Sequence, residues 1–93
     1  MTLNEQLITA AETGDLPAVK QAVQQGADIH ANNDYALRVD AENGYLSVVT
    51  YLVQLGADIH AFYDWALCCA ADNGHTDVVE YLEMVIKFRA INL

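Results

Sequence analysis

The six residues Gly26-Ala27-Asp28-Ile29-His30-Ala31 return unchanged as Gly56-Ala57-Asp58-Ile59-His60-Ala61, thirty positions later. One active site needs its motif written once. A segment repeated at a fixed period marks a structural unit that stacks on copies of itself. The frame extends in both directions. Leu37 to Gly44 aligns with Leu67 to Gly74, and Leu7 to Gly14 fits the same register upstream. After each glycine come Leu16-Pro17-Ala18-Val19, Leu46-Ser47-Val48-Val49 and Thr76-Asp77-Val78-Val79. Three units are present, and the hexamer closes the first two.

Each unit reads as two short helices. Gly14, Gly44 and Gly74 suit the left-handed residue that ends a first helix. Pro17 suits the first turn of a second helix, where its missing N–H costs nothing. Gly26 and Gly56 end the second helices, and Val48, Val49, Leu52 and Val53 fall at helical spacing for a core. Asn4, Asp34 and Asp64 stand three residues before the aligned leucines, so they are expected to cap the first helices. The expected fold is therefore all-α, a solenoid of three helix-turn-helix units with an extended C-terminal helix. One domain covers 1–93, with repeats at about 4–31, 34–61 and 64–88 and a cap or extension over 84–93.

The pattern L-x-x-A-A-x-x-G-H-x-x-V-V-x-x-L-x-x-x-G-A-D-I-x-A resembles an ankyrin repeat. It is met most fully at 67–82, Gly74-His75 included, and in the two hexamers. The short period and the wording of the hexamer are similar to ankyrin repeat proteins encoded by giant DNA viruses. The chain departs from the family where T-P-L-H is replaced by Tyr35-Ala36-Leu37-Arg38 and Trp65-Ala66-Leu67-Cys68. It departs again at Asp40, which stands where Ala10 and Ala70 hold the inner alanine, and in a third unit that lacks Gly-Ala-Asp. The resemblance implies a protein-binding module that uses its first helices and inter-repeat tips. It also implies that His75 braces a turn. The family's hydroxylated asparagine has a counterpart in His60, with Leu52 and Asp58 placed as that modification requires; His30, preceded by Ala22, fits less well.

Composition narrows the partner. All 13 acidic residues lie between Glu5 and Glu83, where Lys20 and Arg38 are the only bases, so this body carries −13 + 2 = −11. Nucleic acid demands the opposite charge, which leaves a protein partner; the acid itself reads as serving solubility, or alternatively as a preference for a partner with a basic surface. No run of 18 apolar residues suggests a membrane span, and no secretory leader is read at the start, so an intracellular setting is expected. Cys68 and Cys69 are adjacent and expected reduced. They lack a neighbouring base, and no paired carboxylates, phosphate loop or metal-binding spacing occurs. Neither an enzyme nor a cofactor or metal is expected.

The two tips differ: Asn32-Asn33-Asp34-Tyr35 is polar, whereas Phe62-Tyr63-Asp64-Trp65 holds three aromatics in four residues. Large aromatic side chains are enriched in binding hot spots. The expected partner-binding set is Asn32, Asn33, Tyr35, Phe62, Tyr63 and Trp65, with Arg38, Val39, Asp40, Cys68 and Cys69 lining the adjoining groove. Arg38 is placed to pair with Glu42 four residues on. Asp40 is expected either to meet a basic partner group at the groove edge or to tilt toward solvent or nearby backbone. The apolar tail beginning at Met84 is expected to fold back over the third repeat. Alternatively Val85, Phe88 and Ile91 pair with a second copy, in a self-assembling structural protein or a piece of a longer array.

Overall fold

The computed structural model describes residues 1–91. Six helices follow one another: α1 (Leu3–Thr13), α2 (Leu16–Gln24), α3 (Ala31–Asn43), α4 (Leu46–Gln54), α5 (Ala61–Asp72) and α6 (Thr76–Ile91). The first helices α1, α3 and α5 pack side by side, and the second helices α2, α4 and α6 form a layer behind them. Within each pair the turn is closed by a glycine with positive φ, 70° at Gly14, 77° at Gly44 and 75° at Gly74. The body measures 38 × 30 × 22 Å.

Burial follows the repeat. Leu7 and Ala11 of α1 are buried in one core with Leu37 and Ala41 of α3, and Ala66 and Ala70 continue the row on α5. Small alanines on this row let the first helices approach closely, and Val19, Val48, Val49, Leu52, Val78 and Leu82 fill the space behind. The middle second helix, α4, buries four of its nine residues because it has a neighbour on either side.

The expected caps act differently. Helix α1 is capped by Thr2, whose hydroxyl accepts the Glu5 amide at 3.1 Å while Glu5 Oε1 accepts the Thr2 amide at 3.0 Å. Asn4 lies inside α1, and its Oδ1 accepts the Asp28 amide at 2.8 Å. Asp34 Oδ2 takes the Asp58 amide at the same distance. These side chains pin the closing link of the unit instead of starting its helix. Asp64 has no such link to hold, because α6 runs on as helix where the third unit would have closed; it accepts from the His60 ring instead.

The links Asn32–Asp34 and Phe62–Asp64 wind left-handed, with φ between 54° and 60° at all six residues. Each makes one turn that reverses into the right-handed helix. Asn and Asp tolerate this conformation, whereas other L-residues resist it by roughly 1–2 kcal/mol apiece. The tail also departs from expectation. It does not fold back: α6 continues as a helix to Ile91, with Met84, Phe88 and Ile91 exposed and only Val85 and Ile86 resting on the core. Leu93, grouped with that tail, lies outside the described residues.

Candidate functional site

Arg38 organises the tips of the second and third repeats. Its Nε donates to the Asn33 carbonyl at 2.9 Å and its Nη2 to the Asn32 carbonyl at 3.0 Å. These bonds satisfy the carbonyls of the left-handed turn. Its guanidinium also lies 5.3 Å from the Tyr35 ring centre, 4.9 Å from Phe62 and 5.7 Å from Trp65. The expected pairing with Glu42 is thus replaced: a planar fork meets backbone carbonyls and ring faces together, and one flexible carboxylate cannot compete with that set.

Carboxylates border the rings. Tyr35 donates its hydroxyl to Glu12 at 3.4 Å, and Trp65 donates its indole N–H to Glu42 at 3.3 Å. These two contacts are thirty residues apart in register and tie each repeat to the one before it. Phe62 stands edge-on to both Trp65 and Tyr63, at 5.6 and 5.7 Å between ring centres. Trp65 is half-buried, Phe62 is 48% exposed and Tyr63 is 91% exposed. The third-repeat turn has no arginine of its own, since Cys68 occupies the position equivalent to Arg38. Two aromatics therefore hold a costly conformation at the surface without the clamp that the polar turn possesses. Strain of this kind concentrates where a surface is used.

Val39 and Cys69 are partly exposed and Cys68 is exposed along the first-helix face. Burial first, then the nearby Glu42 and Asp72 carboxylates, pushes the Cys69 thiol up, which suppresses the thiolate a nucleophile needs. Among the described residues no group of three His, Cys, Asp or Glu could hold a metal ion. His30 and His60 donate through Nδ1 to the Asp34 and Asp64 carboxylates. The His75 ring lies against Gly44, in the space a Cβ there would occupy.

Asp40 does not reach the groove. Its side chain is fully buried, and neither carboxylate oxygen has a hydrogen-bond partner, so it neither meets a partner nor turns to solvent or backbone. Its helix position points at the stack because the alanines flanking it in register do so. Burial pushes its carboxyl pKa up to about 8, leaving it neutral at physiological pH. Val85 is partly buried and packs against the core.

The model of ankyrin repeats, in three copies, matches residues 7–88. The chain belongs to the ankyrin repeats. No curated protein matches it. Ankyrin repeats are generally protein-protein interaction modules, and no helix among the described residues is long and apolar enough to cross a membrane.

Proposed function

We propose that this ankyrin protein is a non-catalytic binding module whose contact surface is the Arg38 aromatic cluster at the tips of repeats two and three. The observation that carries this reading is Phe62-Tyr63, an exposed aromatic pair held in a left-handed turn. Ring faces beside Glu12, Glu42 and Asp64 suit a polypeptide presenting apolar side chains next to lysine or arginine. Asn32, Asn33, Tyr35, Val39, Cys68 and Cys69 frame the cluster, and the acidic body steers a basic partner toward it. An intracellular setting agrees with the free, adjacent cysteines. The likeness to giant-virus ankyrin proteins rests on the short period and the hexamer, and hydroxylation at His60 on its half-exposed position before the turn.

The test is Phe62→Ala with Tyr63→Ala. Capturing the partner from cell extract with the unmodified chain and titrating it against both proteins should show a loss of about 2 kcal/mol or more, roughly thirtyfold. The melting temperature should stay within about 2 °C, because both rings are largely exposed and alanine can keep the same turn. Unchanged affinity would move the site elsewhere.

A second reading has its own support. Met84, Phe88 and Ile91 line a hollow of about 460 Å³ on α6 together with Glu80, Glu83 and Lys87. Two such helices running antiparallel could join their apolar stripes and set Lys87 against the glutamates. Light scattering of Phe88→Glu is then expected to show a dimer becoming a monomer. A wild type already monomeric at high micromolar concentration removes self-assembly.

A further inference from the structure

The tip of the second repeat already holds a cation. The Asn32–Asp34 turn winds left-handed, and the Arg38 guanidinium donates to the Asn32 and Asn33 carbonyls at 3.0 and 2.9 Å. The same group lies 5.3 Å from the ring centre of Tyr35, in its own repeat. A planar fork of N–H groups suits this place, because it bridges two successive carbonyls while resting on a ring.

The third repeat has the same turn without the cation. Phe62, Tyr63 and Asp64 have φ of 54°, 60° and 59°, against 56°, 58° and 57° at Asn32, Asn33 and Asp34. Trp65 stands where Tyr35 does, and the place of Arg38 is taken by Cys68, a short, exposed side chain. Among the described residues no side chain donates to the Phe62 or Tyr63 carbonyl, and the turn is left with the bond from His60 to Asp64. Negative charge is laid open there as well. The Asp34 side chain is 7% exposed, sealed by the His30 ring and the Asp58 amide, whereas Asp64 has the His60 ring alone and is 52% exposed. The vacancy comes from cysteine in place of arginine at position 68, inside α5, and no neighbouring unit enters into it.

We propose that the third-repeat turn is the seat of an arginine supplied by the partner polypeptide. Its guanidinium donates to the Phe62 and Tyr63 carbonyls across the space that Cys68 leaves open. It rests on Trp65 as Arg38 rests on Tyr35, and the open Asp64 carboxylate adds its charge. This deepens the binding reading above and rests on it: the Phe62 and Tyr63 rings supply apolar contact, and their backbone selects the side chain. Arginine is chosen over lysine because an ammonium has no plane to lay on an indole and no fork to span two carbonyls. The acidic body favours a basic occupant and repels an acidic one. The chain's own bases are placed elsewhere. Arg38 serves the second-repeat turn, Lys20 lies over the Tyr51 ring, and Lys87 and Arg89 belong to α6, in the layer behind.

Cys68→Arg tests the seat by filling it from within. The filled turn should slow hydrogen exchange across residues 62–65 by about fivefold. Short random peptides displayed on phage and selected on the unmodified chain are the probe for the partner. Selected peptides should share an arginine and lose about tenfold or more in affinity when it becomes lysine. They should lose as much against Cys68→Arg, and less against Cys68→Lys, which adds the same charge without the fork. The proposal is overturned by a selection that enriches no arginine-dependent peptide, by equal losses against the two Cys68 variants, or by turn exchange that Cys68→Arg leaves unchanged. Phe62→Ala with Tyr63→Ala, measured on the same peptides, separates the two readings. Affinity lost to that double variant but kept against Cys68→Arg removes the arginine seat and leaves the tip as the binding surface. Affinity indifferent to both removes the tip as well.

Discussion

Asp40 is a carboxyl group sealed where its neighbours in register are alanines. Its two oxygens are unpartnered, and its pKa rises from 3.8 to about 8. Between those values the folded chain holds a proton that the unfolded chain has released. Stability from this group is therefore fully present below about pH 4, declines as pH rises, and is lost by about pH 8. Each unit of that window changes stability by about 1.4 kcal/mol at most. Asp40→Ala should raise the melting temperature at pH 7 by at least about 4–8 °C, the shift for 1 kcal/mol in a domain this size. The gain should shrink toward pH 5, and comparing the two proteins by thermal melts at each pH removes the contribution of the other carboxylates. A variant that melts lower than the wild type at pH 7 would mean the acid has a structural partner.

At the scale of elements, the left-handed turns decide how much room a link occupies. The Asn32–Asp34 turn is held by two charge-assisted bonds from Arg38, further along α3 itself. Arg38→Ala should cost about 1–3 kcal/mol and raise hydrogen exchange in residues 32–35 before the rest of α3. Arg38→Lys should recover only part, because an ammonium cannot bridge two carbonyls while lying flat against rings. Exchange unchanged in the turn would show that it is held by Asn and Asp propensity alone.

The helix order, the paired-helix units and the overrunning last helix were legible in the repeat and in the missing third Gly-Ala-Asp. The links were not. Asn4, Asp34 and Asp64 present acceptors whose residue type suits a helix amide and a distant link amide equally, and only the path of the chain selects between them. Arg38 has Glu42 at helical spacing, a local partner visible in sequence. The carbonyls it takes instead become available only once Asn32–Asp34 winds left-handed. Phe62 and Tyr63 stood out as aromatic against Asn32 and Asn33 of the other tip, but nothing in an aromatic pair announces positive φ. Asp40 was misplaced because a carboxylate is normally assigned to water, and the register of the alanines proved the stronger constraint.

The molecule as a whole is dominated by negative charge over nearly its full length. With a formal net charge of −9 and both tail bases beyond Glu83, its field reaches outward as a steering potential for cations. Stopped-flow association with a basic partner should slow steeply between low and physiological salt, while dissociation from the aromatic cluster changes little. Equal salt effects on both rates would place the charged contacts inside the interface.

Trp65 is the chain's only tryptophan. It sits at the joint between the second and third repeats, with its indole N–H on Glu42, its ring edge-on to Phe62 and the Arg38 cation close by. The protein thus contains one natural chromophore whose emission senses two events that are usually followed with separate labels. Separation of the last two repeats removes the carboxylate from the indole and admits water to it. A ligand covering Phe62 instead excludes water and leaves the carboxylate in place. The first shifts the emission to longer wavelength and the second to shorter, so the colour of a single residue distinguishes an opening stack from an occupied tip.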